Sequence, residues 1–253
     1  MNYVGLYTLI RREIARMFRI TVQTVGAPLI SAFLFIFIFG FILGKKIDSI
    51  AGIPYIEFVF PGILTMNVLT SAFQHTSSAV YFGRWVHSIE EVLVAPFSYF
   101  EMVAGYVISS LVRAMIVGLG VIFIGLAFGA VALTHPLLFL LYLVGVAVIF
   151  ALVGILVGLW AQGFEQLNIL NTFIIMPLSF LGGMFYSVEL LPDLMKTITF
   201  ANPFFYLIDA MRYATLGFHE SNLGIGALIF AGLIIGLGAL VIHLFRIGWR
   251  LRE

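Results

Sequence analysis

Six long apolar blocks run through this chain, at about residues 21–43, 57–82, 99–130, 136–160, 169–187 and 223–245, with short polar stretches between them. At ~1.5 Å of rise per residue the first block reaches ~34 Å as a helix, enough to cross a ~30 Å hydrocarbon core. The expected fold class is all-α integral membrane, one domain over residues 1–253 with six transmembrane helices. Three further segments depart from this pattern.

The first is residues 1–20. Ile10, Ile14 and Met17 make an apolar stripe, and Arg12, Arg16 and Arg19 a basic one with Arg11 beside it. An amphipathic helix of this kind lies in the membrane interface with its cations among lipid phosphates. A plain basic segment that orients the first span is the simpler alternative, and both can hold.

The second is residues 84–96, RWVHSIEEVLVAP. Val86, Ile89 and Leu93 share one side of a short helix, and Glu90 and Glu91 sit off it. Ser88 and Glu91 have capping-box spacing, and Pro96 is a stop signal. On these residues alone two readings stand: a helix that only joins two spans, or a docking site made by Ser88, Ile89, Glu90, Glu91, Val92 and Leu93.

The third is residues 188–217, two apolar amphipathic pieces broken at Ala201-Asn202-Pro203. Each is too short to span, so a re-entrant or surface-lying helical hairpin is expected between spans 5 and 6. Asp209 and Arg212 stand at i, i+3 and can pair.

Within the spans, the second half of span 2 is unusually polar: Thr65, Asn67, Thr70, Ser71, Gln74, His75, Thr76, Ser77 and Ser78. Helix packing through hydroxyl and amide groups accounts for this, as does a face toward a polar cavity; packing is the favoured reading. Arg113 is the one cation deep within a span, with no carboxylate at i±3 or i±4. A lone intramembrane charge marks a functional site by default, and its role stays open between a structural partner and a substrate contact. Ser98 and Glu101 repeat the capping-box spacing before span 3, AQGFEQLN at 161–168 reads as a polar turn, and Pro177 should kink span 5.

Composition agrees with the pattern. Hydrophobic residues make up 62% and charged residues 10% of the chain, against about 25% charged in soluble domains. A net charge of +1 argues against a nucleic-acid partner. There is no Cys, and the five His have no ligand-like spacing, so no metal site is expected. The first block is too long for a signal peptide and has no cleavage site after it, so it is expected to remain as an anchor.

Cations set the orientation. Arg11, Arg12, Arg16, Arg19, Arg84, Arg246, Arg250 and Arg252 fall on the side of the termini, against Lys45, Lys46, Lys196 and Arg212 on the other. The positive-inside rule then places both termini, and residues 84–96, in the cytosol. Acidic residues cluster at span ends and in loops, unlike the buried carboxylates of an ion-driven carrier. The run Gly40-Phe-Ile-Leu-Gly44-Lys45 is one residue short of a phosphate-binding loop and has no hydroxyl residue after the Lys. No catalytic residue or cofactor-binding residue is expected. If ATP supplies the work, another chain hydrolyses it.

Here the sequence resembles a known family. IEEVLVAPFS at 89–98, PLSFLGGMFYS from Pro177 to Ser187, LLP at 190–192 and NPFFYLIDAMRYATLG at 202–217, in this order, are similar to the bacterial ABC-2 type transporter permeases, most closely the drug and nodulation-factor export subgroup. The resemblance covers nearly the whole chain. It implies a permease subunit of an ATP-binding cassette exporter in the cytoplasmic (inner) membrane, moving a drug, lipid or glycoconjugate. The implied partners are a second permease copy, as a homodimer, two ATP-binding cassette subunits that hold ATP and Mg, and membrane lipid. It makes residues 1–20 a connecting helix, 84–96 the coupling helix and 188–217 the external re-entrant hairpin. The expected path is lined or sealed by aromatics of spans 1, 2 and 5. Phe185 and Tyr186, with Asn202 and Pro203, stand at its outer gate. The family pattern gives Arg113 no role. An ATP-independent carrier or channel is the alternative, and a membrane scaffold without flux ranks below it.

Overall fold

The computed structural model describes residues 2–44, 46–96 and 98–251. Lys45 and Arg252, counted in the charge bias, and Phe97, in the motif at 89–98, lie outside the described residues. The described chain is almost entirely helical, and six of its helices are long and apolar enough to cross a membrane.

Helix α1, Tyr3–Arg19, is capped by the Asn2 side chain, which accepts from Gly5 N at 3.0 Å. It packs on α5, Tyr99–Ala127, where Gly105 makes a notch: a Cβ there would stand 2.6 Å from Leu9. Its most buried residues are Leu9, Glu13 and Met17; of the expected stripe of Ile10, Ile14 and Met17, Met17 is buried, while Ile10 and Ile14 are half-buried and Leu9 and Glu13, one position before each, take the inner places. The notch in α5 explains the shift, because the inner face of α1 meets protein rather than lipid. Asn2 N also donates to Glu101 Oε1 at 2.7 Å, tying the start of α1 to that of α5.

Helix α2, Val22–Leu43, carries wide π turns at Val22–Gly26 and Ile36–Leu43. The first precedes Pro28, whose missing N–H and ring disfavour regular α geometry there. A two-residue ribbon follows, β1 Ser49–Ile50 and β2 Ile53–Pro54, turned by the left-handed residues Ala51 and Gly52.

Helix α3, Tyr55–Trp85, is the centre of the molecule. Of its most apolar window 83% is buried, against 11% for α2, 17% for α7 (Phe164–Leu181) and 17% for α10 (Leu223–Ile247). Its main partner is α6, Pro136–Trp160. Apolar burial does not drive helices together in hydrocarbon, so this pair depends on close backbone approach and interhelical hydrogen bonds. Thr76 Oγ1 donates to Ala151 O at 2.8 Å, and Arg84 caps the end of α6 by donating to Gly158 O, Leu159 O and Ala161 O at 3.1, 2.8 and 3.1 Å.

Span bounds differ from expectation where a local signal was missed. Helix α5 ends at Ala127 rather than residue 130, because Gly129 is left-handed and Ala130 N closes onto Gly125 O at 2.8 Å. Helix α7 begins at Phe164, so most of AQGFEQLN is helix and Glu165 sits in the first turn, where an acid complements the helix dipole. It ends at Leu181, short of the expected 187. Pro177 is accommodated by a π turn over Asn171–Ile175. The broken segment forms α8, Asp193–Ala201, and α9, Pro203–Leu216, which meet at Asn202 as expected.

Two apolar cores result. The larger joins α3, α5, α6 and α9. The smaller gathers Leu9, Ile89, Val92, Met102, Tyr106 and Leu251 at the end that carries both termini.

Candidate functional sites

At the end of the termini, α3 stops at Trp85 and His87 takes a left-handed conformation, φ 57°. This turns the chain into α4, Ser88–Val94. Ile89 and Val92 are the buried residues of α4, Leu93 is half-buried and Val86 is exposed, which corrects the expected Val86–Ile89–Leu93 stripe. The Ser88–Glu91 capping box does not form. His87 occupies the cap position, so Ser88 is already inside the helix and its Oγ donates back to Gly83 O at 3.5 Å. The box at Ser98 does form, with Ser98 N donating to Glu101 Oε2 at 2.7 Å. Glu90 and Glu91 point outward and are exposed; Glu90 stands 3.3 Å from His87 Nδ1.

Glu91 faces α1 across a cleft of about 600 Å³ that Arg11, Arg12, Arg16 and Arg19 also line. Arg11, Arg12 and Arg19 are exposed, Arg12 with one nitrogen 3.3 Å from Glu13 Oε1. Arg16 differs. Its Nε donates to Glu13 Oε2 at 2.8 Å, and its other nitrogens reach Ser78 Oγ and His75 O at 3.4 and 3.3 Å. It is a tether to α3 rather than part of the outward basic stripe. Glu13, which the sequence reading passed over, is the buried anion that turns it inward.

A polar cleft of about 340 Å³ lies between α2, α3 and α7, lined by Gln23, Ser31, Asn67, Thr70, Ser71, Gln74 and Asn171 among others. A second, about 330 Å³, shares Gln23 and Gln74 with it and contains Ser77, Ser78, Arg113 and Asn168. Amides and hydroxyls line these clefts together with apolar side chains, Phe164 of α7 among them. The polar face of span 2 is thus divided. Asn67, Thr70, Ser71 and Gln74 face the cleft, while Thr76 packs on α6 and His75 Nε2 meets Ser109 Oγ at 3.1 Å. Gln23, Ala27 and Ser31 repeat every four residues through an apolar block, a stripe that could have revealed this face.

The aromatics gather at the other end. Phe185 stacks on Phe39 with ring centroids 4.1 Å apart and lies 6.0 Å from Phe35 and 5.6 Å from Phe180. Tyr186 beside it is half-buried. Asn202 is buried and spends its side chain on the fold: Nδ2 donates to Leu178 O at 2.7 Å, and Oδ1 accepts from Phe204 N at 3.0 Å. Pro203 opens α9 at its first position, where a missing N–H costs nothing. Asn202 and Pro203 therefore build the hairpin corner, while Phe185 belongs to the aromatic cluster.

Asp209 and Arg212 do not pair with each other. Asp209 accepts from Glu220 N and Ser221 N, each at 2.9 Å, and Arg212 bonds Glu220 Oε2 at 3.3 Å and Gly183 O at 2.6 Å. The turn after Gly217, left-handed at φ 72°, folds back and offers better partners than the i, i+3 neighbour.

A family model described as ABC-2 type transporter matches residues 4–216. The chain belongs to the ABC-2 type transporter family. Among curated relatives of this family member, the inner membrane transport permease YadH of Escherichia coli (strain K12) is 36% identical over 220 residues, covering 87% of this chain and 86% of the relative. Nodulation protein J of Rhizobium leguminosarum bv. viciae is 26% identical over 222 residues, covering 86% and 83%. Nodulation protein J of Rhizobium meliloti (strain 1021) is 24% identical over 230 residues, covering 90% and 87%. The protein is thus an ABC-2 membrane transport permease with several transmembrane helices.

Proposed function

We propose that this permease is the transmembrane subunit of an ATP-driven exporter in the inner membrane, with both termini and α4 in the cytosol. ATP and Mg are held by two separate ATP-binding subunits that dock on α4. The observation that carries this reading is the build of α4. Its inner residues, Ile89 and Val92, join a core that also contains Leu9, Met102 and Tyr106, and its outer carboxylates, Glu90 beside His87 and Glu91, are exposed where a partner can meet them. A push on α4 therefore acts on α3 through His87, and on α5 and α1 through the shared core. Helix α3 carries the polar cleft, so the movement reaches the space where substrate would pass.

Orientation gains support from Arg212. It is fully buried against Glu220, so it does not count as a free cation on the outer side. The low burial of α2 and α7 leaves both with wide apolar faces, which suits lipid contact and pairing with a second permease copy. A C2 homodimer is the simplest assembly. The cargo is a drug, lipid or glycoconjugate.

Purification in mild detergent from cells with their native partners tests the energy source. A chain with a nucleotide-binding loop should accompany the permease in about a one-to-one ratio and hydrolyse ATP. Purification alone, with gradient-driven transport and no ATP requirement, would replace this reading by the ion-driven carrier.

Charge reversal tests the docking site. Glu90→Lys combined with Glu91→Lys should lower transport and substrate-stimulated hydrolysis at least about tenfold, since reversed charges at a docking surface oppose the partner. Stability should change little, because both side chains are exposed and the Glu90–His87 pair is a surface pair. Wild-type export by the double variant would exclude these carboxylates from coupling.

A further inference from the structure

Arg113 stands about 21 Å along α5 from its start, counting ~1.5 Å per residue, and so lies near the middle of that span. It is 5% exposed. Its terminal nitrogen donates to Gln74 Oε1 at 3.3 Å, a neutral partner, and its Nε has no hydrogen-bond partner among the described residues. It forms no ion pair among the described residues. Among the charged or titratable groups around it, Arg16 from α1 and His75 from α3 couple to it electrostatically. Arg16 shares the Glu13 carboxylate with Arg12, and His75 offers no negative charge. No carboxylate among the described residues pairs with the Arg113 guanidinium, and a charge at this depth is costly unless something polar meets it.

What it faces is a polar cleft. Gln74 separates Arg113 from the adjoining cleft, where Ser71 Oγ is also buried with no partner among the described residues. Amides of Gln23, Asn67 and Asn171 line the same space. Next to them are apolar walls: Ile20, Phe164 and Leu167 on one side, Pro28, Ile175 and Met176 on the other. A fixed cation, several neutral donors and acceptors, and an apolar border in two adjoining clefts that share Gln23 and Gln74 match a molecule with an anionic, hydroxylated head and an apolar tail.

We propose that the two clefts form one binding site for the anionic head of an amphiphile. Arg113 holds a phosphate, sulfate or carboxylate group, and Gln23, Asn67, Ser71, Gln74 and Asn171 hold the hydroxyl groups beside it. This narrows the cargo class within the exporter reading and rests on that reading for transport, though not for binding.

The test is binding to the full-length permease in nanodiscs of zwitterionic lipid, without nucleotide or ATPase. Three probes are titrated: dodecyl phosphate, dodecyl maltoside with the same tail and a neutral head, and inorganic phosphate. Wild type should bind dodecyl phosphate saturably and at least about ten times more tightly than either of the others, the gain a charge-assisted contact gives. Arg113→Gln should remove that preference and leave dodecyl maltoside binding unchanged. Arg113→Lys should keep part of it. Gln74→Glu guards against a variant that fails to fold. It sets a carboxylate beside Arg113, should hold or raise the thermal midpoint, and should still abolish the preference by occupying the cation. Equal binding of dodecyl phosphate and dodecyl maltoside by wild type would overturn the proposal, as would a wild-type preference in Gln74→Glu or in a folded Arg113→Gln. Inorganic phosphate binding as tightly as dodecyl phosphate would make this a free-anion site and overturn the amphiphile assignment. None of these outcomes depends on whether an ATPase accompanies the chain, so failure here and failure of the exporter reading are separable.

Discussion

Arg212→Ala is expected to cost the permease about 3–5 kcal/mol of stability and to loosen the segment from residue 182 to residue 222. The side chain is fully buried. It donates to Gly183 O at 2.6 Å and Glu220 Oε2 at 3.3 Å, and its guanidinium carbon lies 4.0 Å over the Phe58 ring. Three parts of the chain therefore converge on one cation: the turn after α7, the turn after α9 and the start of α3. Glu220 is as deeply placed, with its carboxylate bonded by Ser187 Oγ and by Val188 N at 3.0 Å. Removing Arg212 leaves that carboxylate buried without its cation, which is more harmful than removing both charges. The check is a double-mutant cycle read by thermal unfolding in detergent. Arg212→Met alone and Glu220→Gln alone should each lower the midpoint by several degrees. The double variant should lose less than the sum of the two. Additive losses would mean that the two side chains act separately, and the account of the hairpin anchor would fail.

This network also shows where the sequence stopped being informative. The break between α8 and α9 was legible, because it depends on local chemistry: Pro203 cannot continue the preceding helix and Asn202 caps the next. The anchor of this segment was not, because Asp209 and Arg212 look like an i, i+3 pair until the turn at 217–221 brings backbone donors and Glu220 to them. The two capping-box signals make the same point. Ser98–Glu101 formed, while Ser88–Glu91 was displaced by a left-handed residue at His87 that no spacing rule reveals. Helix α6 runs from Pro136 to Trp160, the stretch expected for span 4, since Pro136 opens it and a polar turn closes it. Span 5 was started five residues late because Glu165, Gln166 and Asn168 look like loop residues, although they form the first turns of α7.

The candidate binding site was half legible in the same sense. Arg113 stood out as a lone cation within an apolar block, and span 2 stood out by its hydroxyls and amides. Their meeting was hidden, since Gln74 and Arg113 are 39 positions apart and only the packing of α3 on α5 joins them. Aromatic positions were not separable by sequence: Phe185 stacks in a cluster with Phe39, while Phe164 borders the cleft that holds Arg113, and only packing tells the two apart.

Gly154→Leu is expected to prevent assembly of the helix bundle, and Gly154→Ala to cost about 1–3 kcal/mol. A Cβ at residue 154 would stand 2.1 Å from Thr76 Oγ1 and 2.5 Å from Phe73 O. The first of these atoms donates to Ala151 O, and the second is backbone of the central helix, so neither can retreat cheaply. One turn on, a Cβ at Gly158 would meet Ser77 O and Val80 Cβ, both at 2.8 Å. Small residues four apart let α6 lie against α3 at backbone distance, and in hydrocarbon that approach supplies the dispersion and polar contacts that hold a helix pair. Gly236 in α10 is the control, because a Cβ there meets nothing within 4 Å. Gly236→Ala should leave the thermal midpoint unchanged or raise it slightly, by the ordinary helix preference of Ala over Gly. If Gly154→Ala proves as stable as Gly236→Ala, the α3–α6 contact is softer than its geometry implies. Helix α3 would then be a poor rod for carrying movement from α4 to the polar cleft, and the proposed coupling route would have to run through α5 instead.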